Sequence, residues 1–248
     1  MNFDLLIDLY LDAERQGPGS VEQTIRAIDL SRLRDSSKKL KIADIGCGTG
    51  ASTLVLAENL NANITAVDLF PEFLAVLEEN AQKKGLSDNI NILSCSMDDL
   101  PFDLNSLDAI WSEGAVYIMG FEKGVKYLRS FLKPGGILAV SEITWLTDSR
   151  PPEITKYWEN EYPEIGTAEE KTAILEKNGF ILKGYFHLPE DCWVDNYYTP
   201  LEKSFGSFLK RHNTDEALSL INAEKNEIEI YKKYGKYYSY GFYIAVKS

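Results

Sequence analysis

Three glycines follow a short apolar run in the segment KIADIGCGTGA, residues 41–51, and Asp68 follows them at the end of the next apolar run. Gly46, Gly48 and Ala51 fit the pattern G-x-G-x-x-G/A, whose glycines let a ligand approach the backbone closely. Asp68 lies about 20 residues beyond the first glycine, where a carboxylate can accept hydrogen bonds from ribose hydroxyls. The pattern predicts a nucleoside-binding turn, and alone it fits a dinucleotide equally well.

A second aspartate, Asp44, narrows the choice of nucleotide because it lies two positions before Gly46. A dinucleotide fold usually has an apolar residue here, since the pyrophosphate brings negative charge to the turn and a carboxylate would repel it. The same carboxylate would attract an ammonium group. These residues therefore favour a nucleoside with a cationic amino-acid tail, and S-adenosylmethionine is one such molecule.

The elements that must hold these residues alternate regularly along the chain. Apolar runs typical of strands are separated by segments with helical spacing, which predicts an α/β fold with a doubly wound, mainly parallel sheet. The predicted strands are 40–46, 64–69, 90–96, 107–113, 137–143, 180–188 and 237–247. Two helices precede the first strand, and Ser20 is placed to cap the second of them.

Composition limits the classes of partner and the compartment. The chain has 248 residues and a net charge of −12, with a pI near 4.7, so it should repel nucleic acid and anionic lipid. Three cysteines form no C-x-x-C pair, no metal-ligand spacing occurs, and neither a signal peptide nor an apolar run of membrane length is visible. We expect a single cytoplasmic domain, 1–248, without metal, membrane or nucleic-acid binding, as a monomer or homodimer.

Three quoted segments carry a resemblance to a known family. DIGCGTG with Asp68, MDDLPF at 97–102 and LKPGGILAVSE at 132–142 resemble the class I S-adenosylmethionine-dependent methyltransferases. The second and third segments are similar to the small-molecule branch of that family, which resembles the ubiquinone and menaquinone biosynthesis enzymes. The resemblance implies a Rossmann-like sheet of seven strands whose last strand is antiparallel, with a cofactor-binding core at 40–147. Such a last strand starts from the ligand side of the sheet, so the insertion at 188–236 should lie over the active site as a helical lid, with the N-terminal helices at 1–35 as another candidate lid.

The resemblance also implies roles for individual residues. Asp44 would hold the amino group of the cofactor, Asp68 the ribose, and Leu69 would pack near the adenine. An acid often found after the third strand is replaced here by Cys95 and Ser96. The full set of implied cofactor-binding residues is Gly19, Asp44, Gly46, Cys47, Gly48, Gly50, Asp68, Leu69, Ser96, Met97, Asp98 and Ser112.

The acceptor should lie at the carboxyl ends of the fourth and fifth strands, beneath the two lids. QGPGS, residues 16–20, is a candidate lid because its glycines and proline permit a bend. In the second lid, Thr199, Pro200 and Glu202 predict a helix start. Its aromatic residues fit either a wall of the acceptor site or a small core of the lid. The candidate acceptor-binding residues are Glu113, Tyr117, Glu142, Trp193, Asp195 and Tyr198.

These observations favour a methyltransferase that acts on a small molecule, with Glu113 or His187 as a general base if one is needed. The acids near the cleft hint at a cationic acceptor. Two alternatives remain open at this point: an NAD(P)-dependent oxidoreductase, which Asp44 argues against, and a protein that binds S-adenosylmethionine without catalysis.

Overall fold

Segments rich in β-branched and small apolar residues form the strands of the sheet, and helical segments connect most of them. The computed structural model describes residues 2–248. Its strands are β1 (Leu40–Ile45), β2 (Ala62–Asp68), β3 (Ile90–Ser94), β4 (Leu107–Glu113), β5 (Leu132–Trp145), β6 (Gly166–Thr167), β7 (Phe180–His187) and β8 (Tyr238–Lys247). They follow the order β3-β2-β1-β4-β5-β8-β7, and β6 pairs with β5.

The first five strands pair in parallel, whereas β8 lies between β5 and β7 and is antiparallel to both. The doubly wound sheet and its antiparallel last strand are therefore confirmed. The two-residue strand β6 is an addition that the sequence pattern did not predict. Its shortness explains this, because two residues are too few to show any periodicity.

Helices cover both faces of the sheet and bury alternate strand residues. Two cores result, because neighbouring residues of a strand point to opposite sides: Ile42 belongs to one core and Ala43 to the other. The first core packs against α2 (Val21–Ser31), α3 (Ala51–Asn59) and α4 (Pro71–Lys84), and the second against α5 (Phe121–Arg129) and α7 (Ala168–Lys177). Ser20 caps α2 as expected, since its side chain accepts a hydrogen bond from the Gln23 N–H.

The remaining helices lie in the N-terminal segment and in the connections that follow β5 and β7. They are α1 (Phe3–Tyr10), α6 (Pro152–Glu161), α8 (Glu190–Trp193), α9 (Thr199–Arg211) and α10 (Asp215–Tyr234). A π-helical turn, Val194–Tyr198, joins α8 to α9 without a break. Thr199 therefore continues a helix and does not cap one, which corrects the expected helix start.

Candidate functional site

A cleft of about 450 Å³ opens at the carboxyl ends of β1, β2 and β4, a size that suits a small-molecule ligand. The ends of parallel strands are where open α/β sheets bind ligands. Its walls come from the glycine turn after β1, the ends of β2 and β4, the loop after β3 and the N-terminal segment. The predicted site residues that border it are Gly46, Cys47, Gly48, Asp68, Leu69, Ser96, Met97, Glu113 and Tyr117.

The glycine turn has no room for side chains at the two positions that border the cleft. Gly46 and Gly48 have φ values of 70° and 53°, which other residues rarely adopt. A Cβ at Gly46 would lie 2.4 Å from the Ala115 Cβ, and one at Gly48 would lie 2.1 Å from the Gln16 Oε1. Gly50 differs, because its Cβ would meet Leu77 of α4 at 2.2 Å. Gly50 is therefore needed for helix packing and does not border the cleft, contrary to expectation.

Asp44 lies fully buried beneath the glycine turn. Its Oδ2 accepts hydrogen bonds from the Ser52 Oγ at 2.8 Å and the Thr53 Oγ1 at 2.7 Å. Its Oδ1 has no partner within residues 2–248. Burial raises the pKa of Asp44 to about 7, and the hydroxyl donors offset this only in part. A buried acceptor atom without a donor is costly, so this carboxylate is suited to receive a cationic donor.

Asp68 borders the cleft at the end of β2, where backbone donors orient it. Its Oδ2 accepts the Gly48 N–H at 2.8 Å, and its Oδ1 accepts the Phe70 N–H at 3.0 Å. Each oxygen keeps a lone pair for a further donor, such as a hydroxyl of a sugar. Burial raises the pKa of Asp68, while these two backbone hydrogen bonds lower it.

An apolar wall continues from Asp68 along the cleft. Leu69 is 53% exposed, and Phe70, Phe73 and Met97 border the same space. Phe3 of α1 completes the wall, with its ring centroid 5.6 Å from that of Phe70. Such a surface can hold a flat aromatic ring between apolar side chains.

The loop after β3 places its residues differently from the expectation. Cys95, Ser96 and Met97 border the cleft. Asp98 does not border it, because this residue is exposed and its carboxylate accepts a hydrogen bond from the Ser96 Oγ at 2.5 Å. Asp98, which the resemblance implied as a cofactor-binding residue, is thus not part of the cleft.

Residues 13–18, which we call the N-terminal strap, close the cleft from above. Arg15, Gln16, Gly17 and Pro18 border it. The Gln16 Oε1 accepts the Thr49 N–H at 2.9 Å, which ties the strap to the glycine turn. Gly19 lies behind the strap, since its N–H donates to the Cys192 carbonyl at 3.3 Å and its Cβ would meet Arg15 at 2.5 Å.

Glu113 at the end of β4 anchors the strap. Its Oε2 accepts from the Arg15 Nη1 at 3.1 Å, and its Oε1 accepts from the Thr24 Oγ1 at 2.8 Å and the Trp111 Nε1 at 2.9 Å. Both side chains of the ion pair are about one-tenth exposed. Three donors, one of them cationic, occupy both oxygens of this carboxylate and hold it in place. Its geometry fits an anchor better than the general base that the sequence suggested.

Several predicted residues lie away from the cleft. The Ser112 Oγ donates to the Ile45 carbonyl inside the sheet. Glu142 is fully buried and pairs with Lys171 at 3.1 Å. Trp193 and Tyr198 are each 2% exposed and pack within the aromatic core of the second lid, the alternative that the sequence left open.

The two remaining candidates border other surfaces. Asp195 faces a groove between α1 and α9, and the exposed His187 faces a shallow groove beside α2. Within residues 2–248, no group of three or more histidine, cysteine, aspartate or glutamate side chains is arranged to hold a metal ion. Nor does any helix of that range have the length and apolar character needed to cross a bilayer.

The fold and the sequence now agree on a class. Residues 42–136 match the family described as a methyltransferase domain. The structure of a SAM-dependent methyltransferase from Geobacter sulfurreducens, solved with S-adenosyl-L-homocysteine, superposes with a TM-score of 0.85 at 18% identity, over 99% of this chain and 98% of that one. Residues 42–136 are thus a methyltransferase domain, on the fold of the class I S-adenosylmethionine-dependent methyltransferases, which confirms the resemblance seen in the sequence.

The individual proteins to which this chain is similar match it only in part or at modest identity. The ubiquinone/menaquinone biosynthesis C-methyltransferase UbiE of Agrobacterium fabrum is 33% identical over 141 residues, which are 55% of this chain and 54% of that protein. The chain spans between about a quarter and about half of the length of the first curated relatives that it matches. The [4+2]-cyclase SpnF shares the fold with a TM-score of 0.78 at 20% identity, covering 99% of this chain and 92% of SpnF. Since a cyclase shares it, the fold alone does not define the reaction.

Proposed function

We propose that the protein transfers a methyl group from S-adenosylmethionine to a small-molecule acceptor. The observation that carries the proposal is the pairing of Asp44 with the glycine turn: a buried carboxylate oxygen without a donor lies two residues before the first of two glycines that border the cleft. The ammonium of the cofactor would supply the missing donor and the missing positive charge. The pyrophosphate of a nicotinamide cofactor would bring negative charge to the same point.

The cleft residues would divide the remaining work of binding. Asp68 would accept hydrogen bonds from the ribose hydroxyls, using the lone pairs that its two backbone donors leave free. Leu69, Phe70 and Met97 would hold the adenine between apolar surfaces. Ser96 and Cys95 lie at the edge of this wall, where the polar rim of a base would fall.

Methyl transfer needs alignment more than acid–base chemistry. When bound, S-adenosylmethionine would supply an electrophilic methyl group to a nucleophilic atom of the acceptor, with its sulfur leaving as a neutral thioether and any proton of the acceptor passing to solvent. The strap, held by Arg15 and Gln16, would exclude water and fix the geometry. The acceptor would approach past Gly114 and Tyr117, which follow β4 and border the cleft.

The relative from Agrobacterium fabrum is named a ubiquinone/menaquinone biosynthesis C-methyltransferase. A tocopherol O-methyltransferase of Arabidopsis thaliana is 26% identical over 185 residues. These names support a small-molecule acceptor but do not identify it. A cytoplasmic location and freedom from nucleic-acid partners stay predictions from composition.

Calorimetry on the purified protein tests the proposal. We expect S-adenosylhomocysteine to bind and NAD not to bind under the same conditions. Incubation with methyl-labelled S-adenosylmethionine and pooled small metabolites should then move label into an acceptor. Binding of NAD without binding of S-adenosylhomocysteine would favour the oxidoreductase. Cofactor binding with no labelled product from any pool would favour a non-catalytic binding protein.

A further inference from the structure

Five buried polar atoms of β5, α6, α10, β8 and the residue after α6 lack a hydrogen-bond partner at ordinary distance within residues 2–248. They are the Glu142 Oε2, Trp158 Nε1, Tyr162 OH, Glu224 Oε2 and Tyr238 OH. Tyr162 has Glu142 as a polar neighbour and Glu224 has Tyr10, whereas Trp158 and Tyr238 have none of this kind. The Trp158 and Tyr238 rings are 5.0 Å apart, which joins α6 to β8 at this point. Buried polar groups are nearly always satisfied, so a concentration of orphans indicates space that water or a ligand fills.

This space adjoins the cofactor cleft. Tyr117 borders the cleft, and its ring lies 6.0 Å from that of Tyr162. Gly114 also borders the cleft, and a Cβ there would lie 3.6 Å from the Tyr240 hydroxyl. We call the space the tyrosine–acid recess and define it by Tyr117, Tyr157, Tyr238, Tyr240, Glu224 and Glu227.

The four tyrosines of the recess come from three elements, the turn after β4, α6 and β8, and each lies within range of the charge of Glu227. Burial raises the pKa of the hydroxyls of Tyr117, Tyr157, Tyr238 and Tyr240, and the negative charge of Glu227 raises each of them further. Yet Tyr117 is 42% exposed, and Tyr157 and Tyr240 are half-buried. Tyr238 is fully buried, and its unpartnered hydroxyl is the deepest of the four.

The charge of the recess is negative and unbalanced. Glu224 and Glu227 lie three residues apart on α10 and so share one face of it. Glu227 accepts a hydrogen bond from the Tyr198 hydroxyl at 2.9 Å, and within residues 2–248 neither acid has a lysine or arginine partner. Burial raises the pKa of Glu224 to about 7, and Glu227 raises it further. Lys171 lies over the Tyr162 ring but pairs with Glu142, so it leaves no net positive charge.

We infer that the tyrosine–acid recess binds the methyl acceptor, and that this acceptor carries an organic cation such as an ammonium group. The inference rests on the proposed function and adds the class of substrate. A cation would give Glu224 and Glu227 the partner they lack and would lie against tyrosine rings, which attract positive charge. A neutral or anionic molecule would leave both carboxylates desolvated and without a counter-charge.

Matched probes test the charge preference directly. Choline and its neutral carbon analogue 3,3-dimethylbutan-1-ol form one pair, and phenethylamine and 2-phenylethanol form another. Each is titrated calorimetrically into the protein saturated with S-adenosylhomocysteine. We expect the cation of at least one pair to bind tenfold or more tighter than its neutral partner. Equal or tighter binding of both neutral members, or no binding of either cation, overturns the inference.

Variants of α10 assign the effect to the recess. Glu224→Gln and Glu227→Gln should each weaken the binding of the cation about tenfold. Glu229→Gln is the control, since this residue lies on the outer side of the same helix with its side chain 72% exposed. Cation affinity that is unchanged in both recess variants, or reduced equally in the control, contradicts the inference.

Two further measurements separate this inference from other failures. The melting temperature of Glu224→Gln should be equal to or above that of the parent, because the change removes a desolvated charge; a loss of fold would show as a decrease. Affinity for S-adenosylhomocysteine should stay unchanged in both recess variants. If the parent protein does not bind S-adenosylhomocysteine, the proposed function itself fails, whereas intact cofactor binding without cation preference removes only the acceptor class.

Discussion

Asp44 is a fully buried acid at the end of β1, two residues before the glycine turn that borders the cleft. It is buried, only one of its two oxygens is satisfied, and its pKa lies near 7 because of burial. A carboxyl group in this state is costly to keep charged until a cation arrives. Cofactor binding and ionisation of Asp44 should therefore be linked, since the ammonium stabilises only the charged form.

This linkage predicts a pH dependence of cofactor affinity. Below pH 7 part of the binding energy is spent on removing the proton from Asp44, so affinity for S-adenosylhomocysteine should rise roughly tenfold between pH 5.5 and 7. The α-amino group of the ligand stays cationic in this range, because such groups titrate near pH 8. Calorimetry at four pH values measures the effect. Asp44→Asn should bind weakly with a flat profile, and a flat profile in the parent would contradict the linkage.

The two aspartates of the adenosine side should respond differently to substitution. Asp68→Ala should weaken binding of S-adenosylhomocysteine by about 1 to 3 kcal/mol, because ribose hydroxyls lose a charged acceptor. Asp98→Ala is the matched control and should change affinity by less than twofold, since Asp98 is exposed and bonded to Ser96. Calorimetry of both variants compares them. Equal losses would place Asp98 at the ligand after all.

The sequence predicts those site residues that belong to a local pattern with fixed spacing along the chain. Gly46, Gly48 and Asp68 follow from a local pattern of turn and strand end, and each borders the cleft. The partners of Glu113 could not be predicted, because Arg15 and Thr24 come from elements about 90 residues away in sequence. Sequence patterns describe contacts within an element; pairings across the fold depend on tertiary packing.

At the scale of elements, the strap is fastened to the sheet chiefly through Glu113. Glu113→Gln would leave the Arg15 guanidinium buried without its counter-charge, which costs about 3 kcal/mol for a buried pair. We expect faster hydrogen exchange in residues 13–20 and weaker cofactor binding. Glu14→Gln, an exposed change in the same segment, should do neither. A general base would behave otherwise: exchange would be unchanged, and the pH profile of turnover would shift once an acceptor is known.

The second lid has an aromatic core of its own. Trp193 stacks on Tyr231 with centroids 4.6 Å apart and on Tyr240 at 5.3 Å, and its Nε1 donates to the Ser239 Oγ. Trp193 thus lies behind Tyr240, on the side of that ring away from solvent, and supports the recess without bordering the cofactor cleft. The sequence could not distinguish a wall of the acceptor site from a core of the lid, because both produce the same aromatic pattern. The burial of Trp193 in the structure decides for the core.

Trp193→Ala should therefore act on stability. Loss of a large buried ring costs about 3 to 5 kcal/mol, so the melting temperature should drop strongly. Cofactor affinity per folded molecule should stay within about twofold of the parent, since Trp193 does not border the cleft. Thermal unfolding and calorimetry below the transition measure the two effects. An unchanged melting temperature with reduced cofactor affinity would instead make Trp193 part of the binding surface.

For the molecule as a whole, the acidic balance has an internal as well as a surface component. The net charge is −12, and several of the acids are inside the protein. Burial raises the pKa values of Asp44 and Glu224 to about 7, and those of Glu142 and Glu227 are also raised by burial. The folded chain thus keeps desolvated carboxylates at the proposed cofactor site and in the proposed acceptor recess, and cationic ligands would relieve both. Composition showed the acidity but not its location, which only the packing of α10 and β1 defines.

This internal acidity predicts that the ligand-free protein loses stability as the pH rises. Asp44 and Glu224 titrate near pH 7 when folded and near pH 4 when unfolded, so between these values the folded state binds more protons. The free energy of unfolding should fall with increasing pH by up to about 1.4 kcal/mol per pH unit for each such group. Below about pH 4 the trend reverses, because surface acids such as Glu79 and Glu122, whose pKa values are lowered by lysine partners, lose their ion pairs.

The melting temperature should therefore be highest near pH 5 and fall by several degrees towards pH 8, and saturating S-adenosylhomocysteine should flatten the decline. Asp44→Asn should raise the melting temperature at pH 8 and reduce the slope, whereas Glu79→Gln, a surface change, should leave the slope between pH 5 and 8 as it is. Differential scanning calorimetry across this range measures all three proteins, and a melting temperature that rises from pH 5 to pH 8 would show that the buried acids are ionised at no cost.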